Sequence, residues 1–256
     1  MDIVRIPVPV ASAPTGSTNA YVIGAEEALL VDPPSECSAL DVALERRTIS
    51  HIAVTHHHPD HTGGVRAYAE RTGATVWARY GRTASFEAAT DCSPDRTFRT
   101  GTTIPTSAGG VRVIETPGHA PEHCGFTAGS TTLVGDLAIQ NGSVGVAKPD
   151  GDLRAYLGSL RRIGQLAPEM LYPGHGPTID APVETCYRLY NHRRDRDSQI
   201  LSAVAEGAST VEAITDMVYD TEGLELRTLA EGTVRSHLQK LAVEGQLSWD
   251  GSVATT

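Results

Sequence analysis

Residues 55–61 read Thr55-His56-His57-His58-Pro59-Asp60-His61. They follow the apolar run Ile52-Ala53-Val54 and precede Gly63-Gly64, the pattern of a strand that ends in a loop. Such a strand delivers its last side chains to the C-terminal edge of a sheet. His56 and His58 have the same parity, so in extended backbone they point to one side and can share one ion. His57 then points away. Asp60 and His61 lie beyond the Pro59 turn and can reach a second ion. Imidazole and carboxylate together suit Zn, Mn or Fe. Four of the chain's 10 histidines fall within these residues, a density that a merely polar loop does not require.

Upstream, residues 3–10, 19–24 and 27–32 are short apolar or alternating runs and read as antiparallel strands. Asp32-Pro33-Pro34 stops the third, and Ser35 opens a helix to about Arg47. Residues 49–55 form the strand that enters the histidine loop. Thr62–Arg71 reads as one helix closed by Gly73, and Ala74–Ala78 as a strand. Residues 79–100 carry no clear periodicity and read as a loop over the site. Segments 102–104, 111–115, 123–128 and 131–135 are strand-like. Asp150–Leu166 places Leu153, Tyr156, Leu157, Leu160 and Ile163 at helical spacing.

Three further strand ends repeat the theme. Thr116-Pro117-Gly118-His119 delivers a histidine, Leu133-Val134-Gly135-Asp136 a carboxylate, and Tyr172-Pro173-Gly174-His175 another histidine. One Pro-Gly-His alone is more often just a turn. Four strand ends that all carry ligands follow the rule that α/β sites gather at strand ends and loops.

As a set, His56-x-His58-x-Asp60-His61, His119, Asp136 and His175 resemble the metallo-β-lactamase superfamily, over roughly residues 1–180. The resemblance implies an α/β fold, an αββα sandwich, with two divalent metal ions at one edge, Zn first and Mn or Fe as alternatives. It assigns His56, His58 and His119 to one ion, Asp60, His61 and His175 to the other, and Asp136 to both. A hydroxide held between the ions would be the nucleophile. Asp60, Asp136 and His123 are the candidate catalytic residues. His123, four residues past His119, is the nearest proton donor outside the ligand set, and His57 and His123 are candidates to orient ligand imidazoles. The bridging aspartate is similar to glyoxalase II, thioesterase and RNA-processing members, and argues against a true β-lactamase. Cys124 matches no ligand position and reads as core.

The tail reads as a helix over Glu184–Glu206, a second over Val211–Tyr219 capped by Ser209-Thr210, and a third from about Leu226 to Val243. A hairpin turning on Asp250-Gly251 follows. This resembles a winged helix, and the combination is similar to the lactamase-β-like protein 2 subgroup. The expected domains are 1–182, catalytic, and 183–256, winged-helix-like. From 181 to 256 there are 12 acidic against 7 basic residues, which disfavours a dedicated nucleic-acid reader. The other reading is a tail that packs on the metal domain, shapes the substrate mouth or pairs two copies as a homodimer.

Bulk properties narrow the classes. The chain has 256 residues and a net charge of −10, which disfavours a broad nucleic-acid surface. No apolar run reaches the roughly 20 residues of a membrane span, so no membrane partner is expected. Four scattered cysteines without Cys-x-x-Cys fit reduced thiols and a cytoplasmic location. The expected function is hydrolysis of a small-molecule thioester or ester. The alternative is an endoribonuclease on single-stranded RNA. A metal-sensing regulator would not need the full ligand set, and persulfide oxidation at one iron would not need His61 and His175.

Overall fold

Every residue from Thr18 to Ile23 and from Ala28 to Val31 is buried. Neither run has a solvent face, so their sheet must be covered on both sides. The computed structural model describes residues 2–13, 15–220 and 223–256. In it this sheet comprises β1 (Ile3–Pro9), β2 (Ser17–Ile23), β3 (Ala28–Val31), β4 (Ile49–Ala53), β5 (Thr75–Arg79) and β6 (Arg96–Phe98), in that order. β1 to β3 pair antiparallel, and β3 to β6 pair parallel.

The two-residue period sorts the side chains onto two faces. Ala20, Val22, Leu30, Ile52, Val76 and Ala78 face helices. Those helices are α1 (Ser38–Leu44), the single turn α2 (Pro59–Thr62), α3 (Val65–Thr72) and α4 (Thr83–Thr90); Leu40, Val65, Tyr68 and Phe86 are their buried anchors. Tyr21, Ile23, Leu29, Val31, Ala53 and Trp77 face a second sheet. That sheet holds β7 (Thr103–Ile104), β8 (Val111–Glu115), β9 (Cys124–Ala128), β10 (Thr131–Gly135) and β11 (Met170–Pro173), ordered β11-β10-β9-β8-β7. Its inner side chains include Ile104, Val113, Phe126 and Leu133. Full burial of each large apolar side chain in these layers contributes about 1.5–3 kcal/mol.

The chain divides into two compact units, 1–116 with 122–142 and 167–182, and 117–121 with 143–166 and 183–256. The helix–sheet–sheet layers make up the first. The second holds α5 (Leu153–Leu166), most of α6 (Pro182–Ala205), α7 (Val211–Val218), α8 (Leu224–Val243) and the hairpin β12 (Ser248–Trp249) and β13 (Ala254–Thr255). Ile200, Val204, Ile214, Val234, Leu238, Leu241 and Leu247 form its core. Thr210 caps α7, its hydroxyl accepting the Ala213 N–H at 3.2 Å, a contact worth about 1 kcal/mol. Asp250 accepts two turn amides across the hairpin.

Within the second unit α5 and 117–121 are tied together: Asp152 N donates to Gly118 O at 2.8 Å and Ser159 Oγ to Pro117 O at 2.8 Å. Two expectations need correction. The helix expected over Thr62–Arg71 is broken at Gly63-Gly64, where Gly64 N donates to Pro33 O at 2.9 Å. The supposed loop 79–100 contains α4 and β6; only Phe86 and Thr90 of α4 are buried, too few to print an apolar stripe.

Candidate metal centre

β3 and β4 are parallel neighbours, so the residues after them emerge side by side. Asp32 follows β3 with φ of 52°. Its Oδ1 accepts the Thr55 N–H at 2.6 Å, and its Oδ2 accepts the Thr55 hydroxyl at 2.8 Å and pairs with His61 Nδ1 at 3.0 Å. One buried carboxylate thus fixes both the end of β4 and the first histidine of the turn. Pro59 occupies the first turn of α2, where its missing N–H costs nothing, and Asp60 and His61 follow on that turn.

The rings of His56 and His58 lie 4.5 Å apart between centroids, as their shared parity requires. His57 points the other way, its ring against the Phe86 ring at 5.6 Å, and its backbone N–H donates to the buried Glu122 at 3.1 Å. Burial holds its imidazole below the usual range, partly offset by Glu122.

The His175 loop is tied down from β2. Asn19 Nδ2 donates to Pro173 O and Gly176 O, both at 2.9 Å, and the Tyr21 hydroxyl to Pro173 O at 2.6 Å. His175 Nδ1 pairs with Ser17 O at 3.0 Å. A carbonyl only accepts, so this nitrogen carries the proton and Nε2 faces inward. His61 is oriented the same way by Asp32. The two Nε2 atoms lie 3.4 Å apart, an arrangement stable only with a proton or a cation at that point.

Asp136 closes the set. Its Oδ1 lies 3.5 Å from His61 Nε2 and its Oδ2 3.3 Å from His175 Nε2, with Asp60 Oδ2 3.4 Å from His175 Nε2. His61 is pushed up to about 9, since Asp136, Asp32 and Asp60 outweigh a burial that opposes its charge. His175 is raised against burial in the same way, chiefly by Asp136. Two triplets have ligand atoms within 4.8 Å of one another: His56, His61 and Asp136, and Asp60, His61 and His175. Nitrogen and carboxylate oxygen are the donor set of divalent transition metals, so these residues fit such an ion. His119 lies on 117–121, within the second unit, where its Nδ1 pairs with Gly145 O at 2.7 Å and leaves Nε2 as its ligand atom.

The sequence model of the metallo-beta-lactamase superfamily matches residues 13–175. The chain belongs to this superfamily. It is 29% identical over 248 residues to a beta-lactamase-like protein 2 homolog of Drosophila melanogaster, covering 90% of this chain and 84% of that one. It is 31% identical over 200 residues to an atrochrysone carboxyl ACP thioesterase of Aspergillus fumigatus, covering 73% of this chain and 59% of that relative's length. A metallo-beta-lactamase family protein from Thermus thermophilus shares the fold with a TM-score of 0.81 at 23% identity, covering 99% of this chain and 98% of that one.

Superfamily members are metal-binding hydrolases, and this one keeps Cys124 out of the site: its thiol is buried in the core between the sheets and burial pushes it up. His123 is fully buried. Its Nε2 accepts the Asp136 N–H at 3.1 Å and its Nδ1 pairs with the Thr116 hydroxyl at 2.9 Å. Since a backbone amide only donates, the ring is the Nδ1–H tautomer and its one proton is committed to Thr116. This geometry sets the ring against the Asp136 backbone, where it can hold that residue in place. Glycine permits the close approach at two points. A Cβ on Gly174 would meet Asp136 Oδ1 at 2.5 Å, and one on Gly135, at φ of 45°, would meet Thr55 Oγ1 at 2.5 Å. Sequence reasoning missed Asp32, Asn19, Thr116 and Glu122. Asp32 looked like a strand stop, and only the pairing of β3 with β4 reveals what it holds.

Proposed function

We propose that the protein is a dinuclear metal-dependent thioesterase acting on a small acyl thioester, with an endoribonuclease as the reading it displaces. His56, His58 and His119 would hold one ion, Asp60, His61 and His175 the second, and Asp136 both; zinc is the first candidate, then manganese or iron. Bound divalent ions supply Lewis acidity and bring the pKa of water towards 7. The protein's own part is to fix tautomers and exclude slack. Asp32 and Ser17 keep the Nδ1 protons of His61 and His175, Gly145 does so for His119, and His123 holds the Asp136 backbone.

The observation that carries the reading is the state of His123. A ribose alkoxide needs a proton as it leaves, whereas a thiolate, with a thiol pKa near 8.5, leaves without one. A nearest candidate acid whose one ring proton faces the Thr116 hydroxyl suits the thioester. The thioesterase among the relatives supports the same choice. The three helices and hairpin of the tail are arranged in the order of a winged helix, but the cations of α8 are closed by its neighbours: Arg227 pairs with Asp216 and Glu231, and Arg235 with Glu231 and Glu212. The test is metal analysis of the purified chain together with acyl thioesters of several lengths and single-stranded RNA as substrates. Metal-dependent cleavage of RNA with all thioesters inert would overturn the proposal.

A further inference from the structure

Within the second unit, α5 and α6 present matching faces to one cleft of about 370 Å³. Arg154, Leu157, Gly158 and Arg161 recur at helical spacing on α5, and Tyr190, Arg194, Asp197, Ser198 and Leu201 on α6. Lys240 of α8 and Glu244 just past its end complete the rim. The charges are of two kinds. Lys240 is closed: its Nζ donates to Asp197 at 2.8 Å and to Glu244 at 2.8 Å. Arg154, Arg161 and Arg194 have no ion-pair partner among the described residues. The arginines of α8 are paired instead, Arg227 with Asp216 and Glu231 and Arg235 with Glu231 and Glu212, so the three cleft guanidiniums keep their N–H donors for an anion.

Arg161 and Tyr190 also border an adjoining cleft of about 430 Å³, lined by Leu160, Gly164, Cys186 and Tyr187. A forked cation donor therefore stands between a polar cleft and an apolar, tyrosine-lined one. Guanidinium groups select phosphate oxygens by paired N–H donors. Tyrosine and aliphatic side chains accept the face of a flat heterocycle. We infer that these clefts, which share Arg161 and Tyr190, bind a nucleoside phosphate, with its phosphates on Arg154, Arg161 and Arg194 and its base beside Tyr187 and Tyr190. A bound nucleic-acid strand would need a basic track leading out of the cleft, and the neighbouring arginines of α8 are already paired.

Titration calorimetry of the full, metal-loaded chain with adenosine 3′,5′-bisphosphate, coenzyme A and inorganic phosphate tests this directly. Saturable binding of the two nucleotides is expected, with inorganic phosphate weaker because it lacks the base. Arg161→Ala and Arg194→Ala should each weaken nucleotide binding about tenfold or more, the scale of a lost charge-assisted contact. Tyr190→Ala should weaken nucleotides and leave inorganic phosphate unchanged. No saturable nucleotide binding at millimolar concentration, or equal affinity in Arg161→Ala, overturns the site. Affinity that rises with oligonucleotide length and falls steeply with salt overturns the small-molecule assignment in favour of a strand. Because binding is measured without chemistry, inert thioesters would sink the proposed function while leaving the site standing.

Discussion

Each unit of this protein buries a cluster of carboxylates and imidazoles, and the two are completed differently. In the second unit, Asp197 Oδ1 pairs with His237 Nδ1 at 2.7 Å and Oδ2 accepts Lys240 Nζ at 2.8 Å. The protein supplies its own cation there, and the cluster is finished when the chain folds. In the first, Asp32, Asp60 and Asp136 meet imidazoles whose Nε2 atoms converge on one point. Against burial, His61 is raised by Asp136, Asp32 and Asp60, and His175 chiefly by Asp136. The lesson is that burial and hydrogen bonding alone do not mark a functional cluster. What marks it is a set of nitrogen and carboxylate donors close enough to share a divalent ion.

The largest expected effect breaks the cluster of the first unit. Asp136→Ala removes the carboxylate that faces both His61 and His175, so metal content should fall from about two ions per chain and turnover by more than the roughly 100-fold that an orienting partner costs. Elemental analysis beside kinetics checks it; unchanged metal content would refute the bridging role. Asp197→Ala breaks the finished cluster and should do the reverse. Removing one partner of a buried pair costs about 3 kcal/mol, read as a lower urea midpoint, with metal content intact.

The finished cluster also fixes a pH signature. His237 is held below its usual range, burial outweighing Asp197. As pH falls through about 6.5 the unfolded chain takes up this proton first, so stability declines. Asp197 is held low by His237 and Lys240, which overcome burial. Its contribution is present above its unfolded value and lost as pH falls through the folded one. Lys240 is raised by Asp197 and Glu244 against burial, so its share is lost only as pH climbs through its folded value. Urea midpoints across pH should therefore fall on the acid side in two stages, and Asp197→Ala should remove the more acidic of them.

The same contrast explains what could be read in advance. The candidate ligands at 56, 58, 60, 61, 136 and 175 stood out because a metal site needs rare residue types at strand ends, and strand ends announce themselves by apolar runs and Gly-Pro turns. The parity that sent His57 away from His56 and His58 is a local property of extended chain and transferred intact. Asp32 did not stand out, because its meaning depends on a non-local pairing of strands that no spacing records. α5 was legible as a helix from its apolar stripe, but its unit was not, since that depends on contacts such as Ser159 with Pro117. Residues 83–90 hid a helix because only Phe86 and Thr90 are buried.

A smaller effect sharpens the comparison at Asp32. Asp32→Ala keeps every ligand and removes the group that orients His61 and Thr55. Such losses cost 10–100-fold in metal affinity or activity, so chelator competition should show a drop of that order. An unchanged affinity would mean that packing alone orients His61.

The smallest effect on rate is expected at His123, and it decides between leaving groups. His123→Ala leaves the Asp136 N–H and the Thr116 hydroxyl, both buried, without their partner, which costs about 1–3 kcal/mol of stability. If the ring only holds Asp136, thioester turnover should survive within the 10–100-fold of a lost orienting contact, and the pH–rate profile should keep its shape. If instead the ring were a general acid, turnover would fall by about 10²–10⁴, the limb of the profile that reports that acid would vanish, and metal content would stay the same. Rate loss alone does not separate the two where the ranges meet, so the profile carries the decision. The tautomer argues for the first outcome: an imidazole that accepts a backbone N–H on one nitrogen and spends its proton on Thr116 with the other cannot also deliver that proton to a leaving group.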